Sequence, residues 1–156
     1  MDGCQPTRPT SLSPSASGLS SIGECAGGNA LDWTHGLCAD FLHRGLSLTH
    51  YGLIAAPGGV QLFSPSDENA ALRTHGGVWL DFMAKLMNAD RCILIGHADC
   101  RWYIENRIAR DANSLKDDET RDINAVREAL RRRFPSVNVE LCFAELKGSQ
   151  AEFTAL

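Results

Sequence analysis

The sequence predicts an α/β domain with a mainly parallel, four-stranded sheet flanked by helices. Three observations carry this. The run RCILIG (Arg91–Gly96) is apolar on both faces, as a strand inside a parallel sheet has to be. Ile123, Val126, Leu130 and Phe134 recur at the spacing of one helix face. The candidate elements also follow in the order strand, strand, helix, strand, helices, strand, in which helices carry the chain back between parallel strands.

Residues 1–30 differ from the rest. They are rich in Ser, Pro and Gly and hold almost no large apolar side chain, so they bury too little surface to offset their chain entropy. They read as a flexible tail, or an arm that wraps a partner subunit, and residues 31–156 as one α/β domain. LDWTHGLCAD is the first strand candidate, ending at Cys38–Asp40. YGLIAA (Tyr51–Ala56) is a buried strand closed by the turn residues Pro57-Gly58-Gly59. A helix is expected to start with Ser64 as N-cap, Pro65 in its first position and Asp67 in its first turn. Leu72, Trp79, Met83 and Leu86 follow at helical spacing, with Gly76-Gly77 weakening the middle. After RCILIG, residues 102–111 read as helix, and a longer helix runs from about Ser114 to Arg133. Asp117, Asp118 and Glu119 open it, Arg131, Arg132 and Arg133 close it, as the helix dipole prefers, and Pro135 stops it. VNVELCF then alternates, with Val137, Val139, Leu141 and Phe143 on one face, as a half-exposed edge strand does.

A chain of 156 residues suits one domain, and its formal charge of −4 implies no general attraction to nucleic acid or to an anionic membrane. No stretch approaches the ~20 apolar residues that span a bilayer, and the N-terminus lacks the basic start and apolar core of a secretory signal. A cytoplasmic location is expected. Six cysteines in that setting argue for metal or reactive thiols over disulfides. Cys92 and Cys142 lie inside strand-like runs and read as inert core; Cys4 and Cys25 receive no role.

The chemistry concentrates in CILIGHADCRWY, which sets His97 three residues before Cys100 at the end of an apolar run. Cys38-Ala39-Asp40 is expected at the end of another strand. If the two strands are neighbours, two thiolates, an imidazole and a carboxylate converge, a set that zinc takes in tetrahedral geometry. Three protein ligands leave a position for water; four close the site. Each residue also has a plain reading: His97 satisfied by backbone, Cys100 a small core residue, Asp40 a cap of the next turn. Asp99 reads as a helix cap.

CADFLHRGLSLTHYGLIAAPGGVQLF followed by ILIGHADCRWY resembles the β-class carbonic anhydrases, and more closely their small divergent relatives. The family pattern is Cys-x-Asp-x-Arg, a Gly-Gly segment after the second strand, and His-x-x-Cys after the third. The likeness spans roughly Leu31–Phe143, with its specific motifs in three short pieces. It implies a zinc ion, Zn2+, on Cys38, His97 and Cys100, with Asp40 either orienting a zinc-bound hydroxide or acting as the fourth ligand. It also implies carbon dioxide and bicarbonate as substrates and a homodimer or higher homo-oligomer with crossing N-terminal arms. His43, His50 and His75 are then candidates for carrying the released proton.

Two positions depart from the pattern. The arginine that pairs with the aspartate is replaced by Leu42, with Arg44 two residues further on as a substitute. The glycine after the second zinc cysteine is replaced by Arg101. Three functions therefore stand open. The first is a zinc carbonic anhydrase. The second is a non-catalytic relative, in which zinc closed in by two cysteines, a histidine and an aspartate locks the fold or an oligomer. The third is a metal-free thiol enzyme using Cys38 and Cys100.

Overall fold

The computed structural model describes residues 17–23, 38–64, 70–106, 112–147 and 150–156. Its centre is the strand that the sequence marks most strongly. Strand β3 (Arg91–His97) is buried at every position, because it has a strand on each edge and packed side chains on each face. β1 (Ser17–Gly23) lies on one side of it, and β2 (His50–Ala56) lies beyond β1. β4 (Asn138–Lys147) lies on the other side, followed by β5 (Gln150–Ala155). The order is β2-β1-β3-β4-β5. The pairs β1–β2, β1–β3 and β3–β4 are parallel, and β4–β5 is antiparallel.

The expected four-stranded, mainly parallel sheet is thus corrected to a five-stranded mixed one. Ser17–Gly23 falls in the segment expected to be a flexible tail, yet its backbone pairs along both edges, Leu19 with Gly52 and with Cys92. A strand held by two ladders does not need the large apolar residues whose absence argued against it. VNVELCF alternates in burial only as far as Leu141: Cys142, Phe143 and Ala144 are buried in succession, and β5 pairs with Cys142–Lys147, so the expected half-exposed edge strand is interior over that part. The expected first strand is also corrected. Residues 31–37 lie outside the described residues, and Cys38–Asp40 form a helical turn that runs into a π-helical segment, Phe41–Gly45.

Helix α1 (Ala70–Met87) crosses between β2 and β3. Its expected start at Pro65–Asp67 lies outside the described residues, and Ser64 instead ends a 3-10 helix, Gly59–Phe63. The buried phase of α1 also differs from the expected stripe. Leu80 is buried and Met83 packs on the core, while Trp79 and Leu86 are exposed. Gly76 sets this phase. A Cβ there would lie 2.5 Å from the carbonyl oxygen of Leu62, so the helix can approach the 3-10 segment only through glycine. Gly58 is a second required glycine: its φ is +73°, and a Cβ would sit 2.4 Å from the Trp102 ring. After β3 come α2 (Arg101–Glu105) and α3 (Ala112–Arg133).

The sheet separates two apolar cores. Leu94 of β3 joins Ile54, Leu62, Leu80, Ile123, Val126 and Leu141 under α1 and α3. Ile93 and Ile95 join Phe41, Leu42, Leu46, Cys142 and Phe153 on the opposite face. There the rings of Phe41 and Phe153 stack at 4.0 Å, which seats the turn carrying Cys38 against β5.

Candidate functional site

His97 is the last residue of β3, at the carboxyl ends of the parallel strands, where open α/β sheets place their sites. Strand alternation puts its side chain on the face of Ile93 and Ile95. Its Nδ1 donates to Asp99 Oδ1 at 2.8 Å, and its backbone N–H donates to Glu119 Oε1 at 3.3 Å. Asp99 is therefore an orienting partner of His97; the helix cap expected of it falls to Cys100, which has an extended backbone and makes no side-chain cap bond. A histidine whose Nδ1 is held by a carboxylate has a fixed ring orientation, and any metal would meet it at Nε2.

Cys100 is fully buried and belongs to the core under α1 and α3, against Tyr103. Cys38 is fully buried in the opposite core with Phe41, Leu42 and Cys142. Burial, with Cys142 nearby, holds the Cys38 thiol well above the usual thiol range. A protonated thiol in apolar surroundings is a poor ligand and a poor nucleophile. Asp40 stands at the surface side of the turn, and its Oδ1 lies 3.5 Å from Nε of Arg44. Among the described residues, no three His, Cys, Asp or Glu side chains gather closely enough to hold a metal ion. The donor set is right for zinc in kind, and His97 is braced as a ligand is. The two thiols, however, are packed into different cores.

Leu42, where the resembling pattern has arginine, is fully buried in the core. Arg44, one helical turn after Asp40, supplies the cation instead. Arg101 does not: its Nη2 reaches Glu105 at 3.3 Å on the surface. His43 Nδ1 donates to the Leu48 carbonyl at 3.0 Å, which pins the turn after the π-helical segment. His50 lies beside the Thr49 hydroxyl, and His75 is exposed on α1.

Behind β3 lies a polar group that the sequence reading passed over. Gln61 Nε2 donates to the Tyr103 hydroxyl at 3.1 Å and to Asp122 Oδ2. Glu119 is buried and fills the space above Gly96, where a Cβ would be 2.8 Å from its Oε1. Burial pushes the Asp122 carboxyl up, with Arg121 opposing it. Glu119 reads in sequence as a helix-opening acid, but α3 begins at Ala112, two turns earlier. Helical spacing was the available signal. Glu119 and Asp122 stand four residues before Ile123 and Val126, in phase with the buried stripe.

No protein-family model matches the chain, and no curated protein matches it in sequence. Among solved structures it is similar to the wild-type β-carbonic anhydrase CafD of the filamentous fungus Aspergillus fumigatus. The TM-score is 0.51 at 12% identity, over 96% of this chain and 94% of that one. The fold is β-carbonic-anhydrase-like. At that identity the likeness speaks for the fold alone. Among the described residues, no helix is long and apolar enough to cross a membrane.

Proposed function

We propose that this protein is a distant β-carbonic-anhydrase-like zinc protein, with Cys38, His97 and Cys100 as the metal ligands and Asp40 held aside by Arg44. The observation that carries the reading is the Asp99–His97 pair at the end of the central strand of this fold. It is the outer-shell arrangement expected of a metal histidine. The order of the motifs supports it as well. As arranged, the donors do not enclose a zinc ion, so binding requires the Cys38 turn or the Cys100 cap to shift and both thiols to ionise. Metal binding and local folding are then coupled.

Zinc, when bound, would bring the pKa of a coordinated water to about 7, the chemistry that hydrates carbon dioxide. The chain's own residues have simpler tasks. Asp99 orients His97, Arg44 restrains Asp40, and Leu42 keeps the turn seated in its core. Substrates would be carbon dioxide and bicarbonate, and the active form a homodimer or larger homo-oligomer. Cytoplasmic location belongs to the same proposal.

A second reading is favoured by the exposure of the Asp40–Arg44 pair. Pairs of this kind contribute only about 0–1 kcal/mol, so Asp40 is readily released to become a fourth ligand in a closed structural site. Zinc titration followed by thermal melting, then a stopped-flow carbon dioxide hydration assay, separates the readings. A zinc-dependent rise in Tm with hydration supports the enzyme; the same rise without hydration supports the closed site. No change in Tm with saturating zinc would count against both.

A further inference from the structure

Helix α1 is held to the protein along one side only. Leu80 is buried and Met83 packs on the core, while the opposite side turns Val78, Trp79, Phe82 and Leu86 outward. These are the four most exposed large apolar side chains among the described residues, at 62%, 51%, 61% and 65%. A surface helix ordinarily carries polar residues on that side. A buried aromatic side chain covers about 150–250 Å², so each of the four leaves on the order of 100 Å² in water, and the face roughly 400 Å². An apolar patch of that size marks a site of association.

The spacing on this face says what would cover it. His75, Trp79, Phe82 and Leu86 are separated by four, three and four residues, the a/d seam of a coiled coil. The seam is also self-complementary. Its midpoint falls between Leu80 and Asp81. A second copy of α1, antiparallel about a two-fold axis at that point, sets Trp79 on the copy's Phe82 and His75 on the copy's Leu86, each contact occurring twice. Lys85 comes level with the copy's Gly76, Asp81 with Leu80 and Arg73 with Asn88, so like charges do not meet.

We propose that the outer face of α1 binds the same face of a second copy of this chain as an antiparallel helix pair. The four apolar side chains of each copy together remove on the order of 800 Å² from water, most of the ~1,000 Å² that a specific interface needs, and the flanking residues of the helices supply the rest. Trp79 and Phe82 are the anchors, at the centre of the seam where interface energy concentrates. The proposal gives the expected homo-oligomer a surface and is independent of zinc. Metal binding is read separately, by zinc titration against Tm, so either reading can fail alone.

The test is sedimentation equilibrium of the full chain, beside Phe82→Glu, Trp79→Lys and, as a control on another exposed apolar residue, Leu53→Glu of β2. Each variant is first shown to keep its circular dichroism. The wild type and Leu53→Glu are expected to associate alike, and Phe82→Glu and Trp79→Lys at least about tenfold more weakly. Mixing those two variants should restore association. The new cation and the new carboxylate then face each other across the axis, while the other Trp79–Phe82 contact is intact. A monomeric wild type, including one that adsorbs to lipid vesicles instead, would overturn the proposal. So would Phe82→Glu and Trp79→Lys associating like the wild type, a mixture no tighter than its components, or loss of association in Leu53→Glu alone.

Discussion

Asp99 Oδ1 accepts a hydrogen bond from His97 Nδ1 at 2.8 Å, while the His97 side chain is buried and that of Asp99 is half exposed. The carboxylate reaches in from solvent to hold an imidazole at the end of the central strand. On the proposed zinc reading, the pair matters more for holding the metal than for stability. Asp99→Asn is expected to leave the Tm nearly unchanged and to weaken zinc binding about 10–100-fold, measured by competition with a chromophoric chelator. Equal affinity in both proteins would remove His97 from the ligand set.

In the proposed reading, Leu42 stands where the resembling pattern has arginine and Arg44 takes up Asp40 instead. Leu42→Arg would bury a charge against Phe41 and Ile93, and is expected to unfold the protein or lower its stability by several kcal/mol. Arg44→Leu removes only a surface pair, expected to cost less than about 1 kcal/mol. It should abolish carbon dioxide hydration while zinc is retained. Hydration at the wild-type rate in Arg44→Leu would show that Asp40 needs no partner.

Arg91 is buried at the start of β3 and gives Nε and Nη2 to the two oxygens of Glu140 on β4, each at 2.8 Å. Glu140→Leu strands the guanidinium and is expected to cost about 3–5 kcal/mol. The double variant Arg91→Met, Glu140→Leu should recover most of that loss. Urea denaturation of the three proteins checks both statements.

The adjacent glycines of α1 should respond with opposite signs. Gly77→Ala has room for its methyl and should stabilise by about 0.5–1 kcal/mol through helix propensity. Gly76→Ala drives a methyl to 2.5 Å from a backbone oxygen and should destabilise by about 1–3 kcal/mol. Thermal melts of the pair are sufficient.

Burial raises the thiols of Cys92 and Cys142 from 9.0 to about 12. Because the folded values are raised, their contribution to stability is complete below pH 9 and is lost as pH rises from 9 toward 12. Alkaline denaturation is expected in that window, and Cys92→Ala, Cys142→Ala should flatten the pH dependence there. Both thiols should resist alkylation in the native protein at about pH 8, below their raised range.

Much of this architecture was legible in the sequence. RCILIG announced a central strand because both of its faces are apolar, and the Ile123–Val126–Leu130 stripe announced α3. β1 was not legible: SGLSSIG lies in a Ser- and Gly-rich stretch, and its backbone pairs with strands on both sides. The phase of α1 was misread because Gly76, taken as a weak point, is the contact that brings the helix down onto Leu62. His97 and Cys100 stand out as strand-end chemistry. The separation of Cys38 and Cys100 into different cores does not, because periodicity says which face a residue occupies and not which face its partner occupies.

The central claim is that Cys38, His97 and Cys100 hold zinc. Its most direct test is the zinc content, by elemental mass spectrometry, of protein purified without a polyhistidine tag, beside Cys38→Ala and Cys100→Ala. About one zinc per chain, lost in both variants, is expected from the tetrahedral three-ligand arrangement. No zinc in the wild type, or equal zinc in all three proteins, would contradict it and leave the carbonic anhydrase likeness as one of fold.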